Sequence, residues 1–365
     1  ENFYYKNHSK IINFYGPAII LNSSGSKNSP KTCLHPLKNL NNSAYSSGEW
    51  LEEQGFELDK CVIFNTLPLN HISGFMPLWR SKIWNCEYIR ISPELLKETK
   101  KLLQKTFELK IKKNKTLITS LVPTQLFRLL SNNYGIEWLK SFNLIWVGGA
   151  KIPKSILQKC IKEEINLSPC YGSTETAAMI SALKPEEFLK GNDTTGEILS
   201  DINLRINNQN LIEIKTNRIG IEIKDSGKLK DFNRNDGWWE SGDLGEIIFA
   251  KNKQYLKIHG RIDNTLNSGG ETIFLDLIEK KLDDFIVKEK LPIMDLKFEK
   301  IKDELWGNRF QIIVKIKNFH TDEVILNILG KLKKFSETFP KHEQPTKWIL
   351  KNDDQYDKEN WKSIG

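Results

Sequence analysis

Cys170-Tyr171-Gly172-Ser173-Thr174-Glu175-Thr176 follows a short apolar approach, Ile165 and Leu167, through Ser168 and Pro169, and leads into Ala177-Ala178-Met179-Ile180. The stretch reads as a tight glycine-containing turn that carries hydroxyls and one carboxylate. Hydroxyl and backbone N–H groups suit phosphate oxygens, and a hard carboxylate oxygen suits Mg²⁺. A string this short is equally a capped loop with a solvated Glu. Its meaning depends on what lies around it.

Upstream, apolar strands alternate with helices. Ile19–Leu21, Val62–Phe64, Leu117–Val122 and Leu144–Val147 read as buried strands. Pro123 opens a helix over Thr124–Ser131 with Leu126, Leu129 and Leu130 on one face, and a second helix runs from Pro153 to Ile161. Alternation through residue 180 predicts an α/β domain with layered, mainly parallel sheets, whose ligands gather at the carboxyl ends of the strands. The polar loops all follow strands. Asn22-Ser23-Ser24-Gly25-Ser26-Lys27-Asn28-Ser29-Pro30-Lys31 is the type of loop that wraps a polyphosphate. It matches neither the nucleotide G-x-x-x-x-G-K-[ST] loop nor G-x-G-x-x-G, and its plainer reading is a polar linker. His71 lies beyond the second strand beside Gly74, and Gln125 and Arg128 ride on the first helix; a satisfied imidazole and a solvated helix face are the plainer readings. Gly148 and Gly149 at a strand end permit the close backbone approach a flat adenine ring requires.

Downstream, residues 196–258 carry short alternating strands and predict a β-rich subdomain. Within it, Ser241-Gly242-Asp243-Leu244-Gly245 holds an Asp placed to grip the vicinal hydroxyls of a ribose, unless it merely satisfies its own turn. Ile258-His259-Gly260-Arg261-Ile262-Asp263 and Asn267-Ser268-Gly269-Gly270-Glu271 follow. The remainder predicts a compact α+β unit: a helix beginning at Leu277, Ile278 and Leu282, strands Met294–Glu299 and Phe310–Ile316, and a helix Val324–Phe335. The domain boundary is placed near Asp263, giving domains 1–262 and 263–365, with a polar tail over 351–362.

The chain has 365 residues, 39% of them hydrophobic, with ten tryptophans, so two packed domains are the default. A net charge of +8 spread over lysine-rich helix faces suits small polyanions and lacks any aromatic-interleaved basic motif, so no nucleic-acid partner is expected. Five cysteines with no C-x-x-C predict no disulfide framework and a reducing compartment. The first residues lack a signal-peptide core, and no apolar run approaches the ~20 residues of a transmembrane helix. The expectation is a cytoplasmic protein. Oligomeric state is left open, a homo-oligomer included.

Taken together these segments resemble the adenylate-forming acyl-CoA synthetase superfamily, the AMP-binding enzymes. Tyr171-Gly172-Ser173-Thr174-Glu175 is similar to that family's Y-G-x-T-E, Ser241-Gly242-Asp243 to its T-G-D, Gly260-Arg261-Ile262-Asp263 to its G-R-x-D, and Ser23 to Lys31 to its phosphate loop. Segments 68–75, 122–130, 148–153 and 268–274 look most like the o-succinylbenzoate–CoA ligases of menaquinone and phylloquinone biosynthesis. The resemblance implies attack of a carboxylate on the α-phosphorus of ATP with Mg²⁺, release of pyrophosphate, and displacement of AMP by the thiol of CoA. It implies that Ser23, Ser24, Gly25, Ser26 and Lys31 hold the β- and γ-phosphates, Thr174 the α-phosphate and Glu175 the Mg²⁺. Gly148, Gly149, Tyr171 and Gly172 would frame adenine, and Asp243 and Arg261 the ribose. His71, Phe75, Gln125, Arg128, Ser173, Ser268 and Gly269 are the candidates for the acyl pocket. Lys362 matches the family's C-terminal adenylation lysine, and Asp263 its hinge, about which a small mobile domain swings. The chain departs from the pattern at Lys27, Asn28 and Thr32, where the family has Thr, Gly and Gly, and at Trp361, where it has Gly. The segment before the phosphate loop is short, so the expectation is an adenylation domain shortened at its N-terminus. Ligation of another aryl or medium-chain acid, and a nucleotide-binding pseudoenzyme, are the competing readings.

Overall fold

The computed structural model describes residues 16–23, 31–109, 114–224, 228–250, 252–316, 321–351 and 362–364. These fall into two compact units. The first lies within 1–151, 160–241 and 245–258, and the second within 152–159, 242–244 and 259–365.

The first unit opens with a hairpin, β1 (Ala18–Asn22) and β2 (Thr32–Pro36), followed by α1 (Leu37–Glu52). Strand β3 (Cys61–Asn65), α2 (Ile72–Ile83), β4 (Glu87–Arg90), α3 (Thr99–Glu108), β5 (Thr116–Leu121), α4 (Pro123–Leu129), α5 (Asn133–Lys140), β6 (Leu144–Val147) and, past α6 (Lys154–Lys162), most of which belongs to the second unit, β7 (Leu167–Ser173) then alternate as an α/β chain should. Every residue of β3 and β6 is buried, which is why they read as unbroken apolar runs: a strand covered on both faces has no polar side to show. Edge strand β4 buries none of its residues.

Beyond β7 come β8 (Ala178–Ala182), α7 (Pro185–Leu189), β9 (Glu197–Ile198), β10 (Asn203–Ile206), β11 (Leu211–Lys215), β12 (Ile221–Ile223), β13 (Leu229–Asp231), β14 (Trp239–Ala250) and β15 (Lys253–Arg261). Among the described residues they complete an eleven-stranded sheet of order β10-β11-β14-β15-β9-β8-β7-β6-β5-β3-β4. The pairings β4–β3, β3–β5, β5–β6 and β6–β7 are parallel, whereas β7–β8, β8–β9 and β9–β15 are antiparallel. The α/β class is as expected from the sequence. The segment read as a β-rich subdomain is built mostly as the antiparallel half of this same sheet, while β12 and β13 extend the β1–β2 hairpin into a four-stranded sheet. Strand β7 is where parallel turns to antiparallel, so its carboxyl end faces two kinds of neighbour.

The second unit is the smaller α+β element expected. It holds the hairpin β16 (Thr265–Ser268) and β17 (Glu271–Phe274), then α8 (Leu275–Lys288), β18 (Ile293–Asp303), β19 (Gly307–Ile316), α9 (Asp322–Ser336), β20 (Trp348–Lys351) and β21 (Lys362–Ile364). Its core gathers Ile278, Leu282 and Ile286 of α8, Phe310, Ile312 and Val314 of β19, and Leu329 and Leu332 of α9. Among the described residues no helix is long and apolar enough to cross a membrane.

Candidate active site

The signature stretch divides differently from its sequence reading. Cys170–Ser173 belongs to β7, and the turn proper is Thr174–Ala177, which returns the chain into β8. The register slips between Tyr171 and Gly172, and a Cβ on Gly172 would sit 2.2 Å from the Ala178 carbonyl oxygen, so no side chain fits there. Ala177 (φ 52°) and Ala178 (φ 84°) lie in left-handed backbone, which costs an L-residue with a Cβ roughly 1–2 kcal/mol each.

Hydrogen bonds hold this strain. The Thr174 carbonyl accepts from the Ala177 N–H at 3.2 Å and from His35 Nε2 at 2.7 Å. The Glu175 carbonyl accepts from the Gly220 N–H at 2.8 Å, and the Ala177 carbonyl from the Ser43 hydroxyl at 2.5 Å. The buried Thr176 hydroxyl donates to the Ala178 carbonyl at 2.7 Å and receives the Ser173 N–H at 3.0 Å. The hydroxyl of Ser173, an acyl-pocket candidate, lies 3.3 Å from that of Thr176. The backbone oxygens of Thr174, Glu175 and Ala177 therefore face the protein. The half-buried Thr174 hydroxyl and Glu175 carboxylate hydrogen-bond to nothing among the described residues.

Strand β2 brings the upstream loop to this turn. Ser23 and Lys31 close the loop's base, Ser23 N–H to the Lys31 carbonyl at 2.8 Å and Lys31 N–H to Ser23 Oγ at 3.0 Å. Ser24, Gly25 and Ser26 lie outside the described residues. Four residues past Lys31, His35 is fully buried; desolvation holds its imidazole down at about 4, so it is neutral at physiological pH.

Gly148 and Gly149 follow β6 beside β7: a Cβ on Gly148 would meet the Cys170 carbonyl oxygen at 2.9 Å, and Gly149 has φ 86°. Both therefore require glycine, for contact and for conformation respectively. His71 sits half-buried at the start of α2 with its ring unbonded among the described residues, and Phe75 one turn on stacks against Trp79 at 5.8 Å. Two further acyl-pocket candidates lie on α4. Gln125 Oε1 accepts from the Val122 N–H at 3.3 Å and the Thr66 hydroxyl at 3.4 Å, and its Nε2 donates to the Thr66 carbonyl at 3.4 Å. That amide closes the first turn of α4. Arg128 is exposed in the last turn of the same short helix.

Arg80, to which the sequence reading gave no role, is also on α2 and is 4% exposed. Its Nε donates to Ser47 Oγ at 3.0 Å, its guanidinium lies 4.9 Å from the Trp146 ring, and Nη2 has no partner among the described residues. Burial lowers it to about 10, and a second buried arginine, Arg218, pushes the same way. The indole N–H groups of Trp50 and Trp146, whose rings are 6.3 Å apart, are also buried without a partner. Only the run of polar residues around an apolar helix hinted at this donor-rich cluster.

In the second unit, Arg261 joins three acids. Its Nη1 donates to Asp243 at 3.1 Å, its Nε to Asp263 at 2.9 Å, and its backbone N–H to Asp276 at 2.8 Å. Asp276, in the first turn of α8, also accepts from Asn264 at 2.7 Å. Ser268 pairs with Glu271, so Gly269 (φ 56°) and Gly270 (φ 89°) form a two-residue hairpin turn that needs left-handed backbone at both positions. Gly269 packs against Trp306, where a Cβ would come within 2.5 Å of the ring, while the Ser268 hydroxyl is buried without a partner among the described residues. Lys362 begins β21, paired with Leu350 of β20.

A turn with three backbone oxygens engaged and a hydroxyl and carboxylate presented, next to a hairpin and a glycine pair, offers groups whose chemistry suits a phosphate and its metal. Residues 12–221, more than half of the chain, match the AMP-binding enzyme family, and the chain belongs to it. Among individual proteins, it is 25% identical over 319 residues to the 2-succinylbenzoate–CoA ligase of Listeria monocytogenes, covering 85% of this chain and 62% of that one. The fold is shared with the o-succinylbenzoate CoA synthetase of Bacillus subtilis, solved with the acyl-adenylate intermediate: TM-score 0.69 at 22% identity, covering 91% of this chain and 65% of that one. The same enzyme solved with ATP and magnesium ion superimposes with TM-score 0.68 at 21% identity, over 91% of this chain and 66% of that one. The chain spans between 53% and 62% of the length of the first three curated relatives it matches.

Proposed function

We propose that this chain performs ATP-dependent ligation of a carboxylic acid to CoA through an acyl-adenylate, with o-succinylbenzoate as the acid. The observation that carries the reading is the Thr174–Ala177 turn, in which strain and hydrogen bonds leave the Thr174 hydroxyl and the Glu175 carboxylate without a hydrogen-bond partner among the described residues. The names of the relatives supply the acid.

In this reading Thr174 donates to the α-phosphate, and Lys31, with Ser23 to Ser26, neutralises the β- and γ-phosphates. Gly148, Gly149, Tyr171 and Gly172 line adenine, and Asp243 and Arg261 take the ribose. Lys362 meets the α-phosphate and the attacking carboxylate, and Asp263 serves as the hinge between domains 1–262 and 263–365. Among the described residues no three His, Cys, Asp or Glu side chains cluster as a metal cage. The lone Glu175 carboxylate fits Mg²⁺, which takes one or two carboxylates and completes its shell with phosphate oxygens and water. When bound, that ion would offset the charge of the departing pyrophosphate.

For the acid, Arg80 joins His71, Gln125 and Arg128 as a candidate donor to the carboxylate that does not react. A cluster with an unpartnered guanidinium N–H and two unpartnered indole N–H groups is rich in donors and short of acceptors. The second, non-reacting carboxylate of o-succinylbenzoate is the acceptor such a cluster would favour. His71 and Phe75 on the same helix remain candidates to flank the ring. An acid-dependent pyrophosphate-release panel tests the reading. The expected result is release with o-succinylbenzoate well above that with benzoate or medium-chain monocarboxylates; equal rates across the panel would remove the assigned acid, and no release with any acid would remove the activity.

A further inference from the structure

We infer that His35 is a positioning residue for the nucleotide site: it orients the Thr174–Glu175 peptide unit so that the Glu175 N–H is presented as a phosphate donor beside the Thr174 hydroxyl. The inference rests on the adenylate-forming reading above.

A trans peptide unit is planar, with its C=O and N–H pointing to opposite sides. His35 Nε2 lies 2.7 Å from the Thr174 carbonyl oxygen, which can only accept, so the ring carries its proton on Nε2 and the carbonyl is drawn toward β2. The Glu175 N–H in the same plane must then point away from β2. It donates to no group among the described residues. The next unit is fixed likewise: the Gly220 N–H holds the Glu175 carbonyl at 2.8 Å, and the Thr176 N–H reaches Ser173 Oγ at 3.3 Å. The Glu175 N–H is thus aimed by its neighbours and left unused by them.

The ring itself is immobilised. His35 is fully buried, Cys33 Sγ stands 3.2 Å from Nε2, and a Cβ on Gly220 would meet Cys33 Sγ at 2.3 Å and His35 Cε1 at 2.7 Å. Gly220 therefore performs two functions, admitting the imidazole and fixing the following carbonyl. Its Nδ1 is buried without a partner among the described residues, a desolvation cost that a leucine would avoid. A side chain retained for packing alone gains nothing from that nitrogen. The hydrogen bond to Thr174 spans 139 positions and joins the strand that follows Lys31 to the turn that carries Glu175. Two separated parts of one phosphate site are thereby held in register.

The test compares wild type, His35→Gln, which keeps a donor, and His35→Leu, which does not. Two readouts are used: calorimetric binding of Mg-ATP, and the two half-reactions, acid-dependent pyrophosphate release and thioester formation from supplied acyl-adenylate. Loss of one oriented donor should weaken Mg-ATP binding and slow pyrophosphate release about tenfold in His35→Leu, and should raise the Mg²⁺ concentration for half-maximal rate. Thioester formation should stay within about twofold of wild type, and His35→Gln should recover most of the loss. If His35→Leu does not fold, His35→Asn, too short to reach the carbonyl, takes its place. Unchanged Mg-ATP binding in the donor-less variant, equal loss in both half-reactions, or no recovery in His35→Gln overturns this inference alone. Wild type that binds Mg-ATP yet turns over no acid refutes the proposed function and leaves the binding comparison to decide His35; wild type that binds no Mg-ATP overturns both.

Discussion

Replacing Arg218 by methionine should stabilise the protein. Arg218 is fully buried; Asp201 stands beside it, with Nε 3.2 Å from Oδ2, and the charge of Arg218 also acts on the buried Arg80. That is a charge contact and not a hydrogen bond, because the N–H does not point at the carboxylate; Nε, Nη1 and Nη2 all lack a partner among the described residues. Burial brings the guanidinium well down from its usual value, to about 10, with Asp201 pulling it only partway back. At about 1.4 kcal/mol per unit, the charged form is disfavoured in the folded protein by roughly 3 kcal/mol. Removing one partner of a buried pair usually costs stability because the other charge is stranded. Here the other partner keeps access to water through part of its side chain, which is 29% exposed, although Asp201 Oδ1 is buried without a partner among the described residues.

Methionine is unbranched and fills the space of the stem without the charge. The expected net gain is about 1–3 kcal/mol, the range seen when unfavourable buried ions are replaced by apolar residues. Arg80 gives the internal control. Burial lowers it by the same amount, but Ser47 and the face of Trp146 compensate it, together worth roughly 1–3 kcal/mol. Arg80→Met should therefore be nearly neutral in stability, while in the proposed function it loses activity toward the dicarboxylic acid. Because each arginine disfavours the other's charge, the double variant should gain less than the two single changes sum to. Urea unfolding midpoints of the four proteins at pH 7.5 give the comparison. Destabilisation of Arg218→Met by more than about 1 kcal/mol would refute the reasoning, and would mean that the guanidinium is satisfied in solution by a group that outweighs its desolvation.

Three further outcomes are expected. His35 takes up a proton near 6.5 in the unfolded chain but only near 4 in the fold; the unfolded state binds more protons between those values, so stability should fall by about 3 kcal/mol as pH drops from 6.5 to 4, and in His35→Gln urea titrations that part of the acid slope should vanish. Gly172→Ala would place its Cβ 2.2 Å from the Ala178 carbonyl oxygen; backbone cannot yield cheaply, so a loss of about 2 kcal/mol or more in the denaturant midpoint is expected, and an unchanged midpoint would disprove the close β7–β8 approach. Lys362→Ala should lower acid-dependent pyrophosphate release a few hundredfold, about 3 kcal/mol, and spare thioester formation from supplied acyl-adenylate; equal losses in the two assays would contradict the adenylation role.

What the sequence disclosed of this molecule follows from where each side chain is directed. Strands β3 and β6 were legible because burial on both faces leaves a nearly unbroken apolar run, and α8 and α9 because their apolar faces recur at helical spacing. Helix α1 escaped notice because much of its buried face is Asn39, Ser43, Ser46, Ser47 and Gly48, which no apolar pattern marks. Its burial becomes affordable only through distant partners: Ser43 donates to the Ala177 carbonyl and Asn39 to the Ile219 carbonyl at 2.9 Å. The same division runs through the candidate site. Thr174 and Glu175 were readable as chemistry because they are presented outward, and a group aimed at a ligand keeps the same residue type wherever the surrounding chain goes. His35, Arg80 and Asp276 were not, because each is aimed at another part of the protein, and the meaning of an inward polar group is held by its partner. The His35–Thr174 bond crosses 139 positions; until β2 is known to pass beneath the turn, that histidine is an ordinary residue in a short strand. Sequence motifs therefore identify what this site touches, while the topology of the sheet determines which residues make the touch accurate.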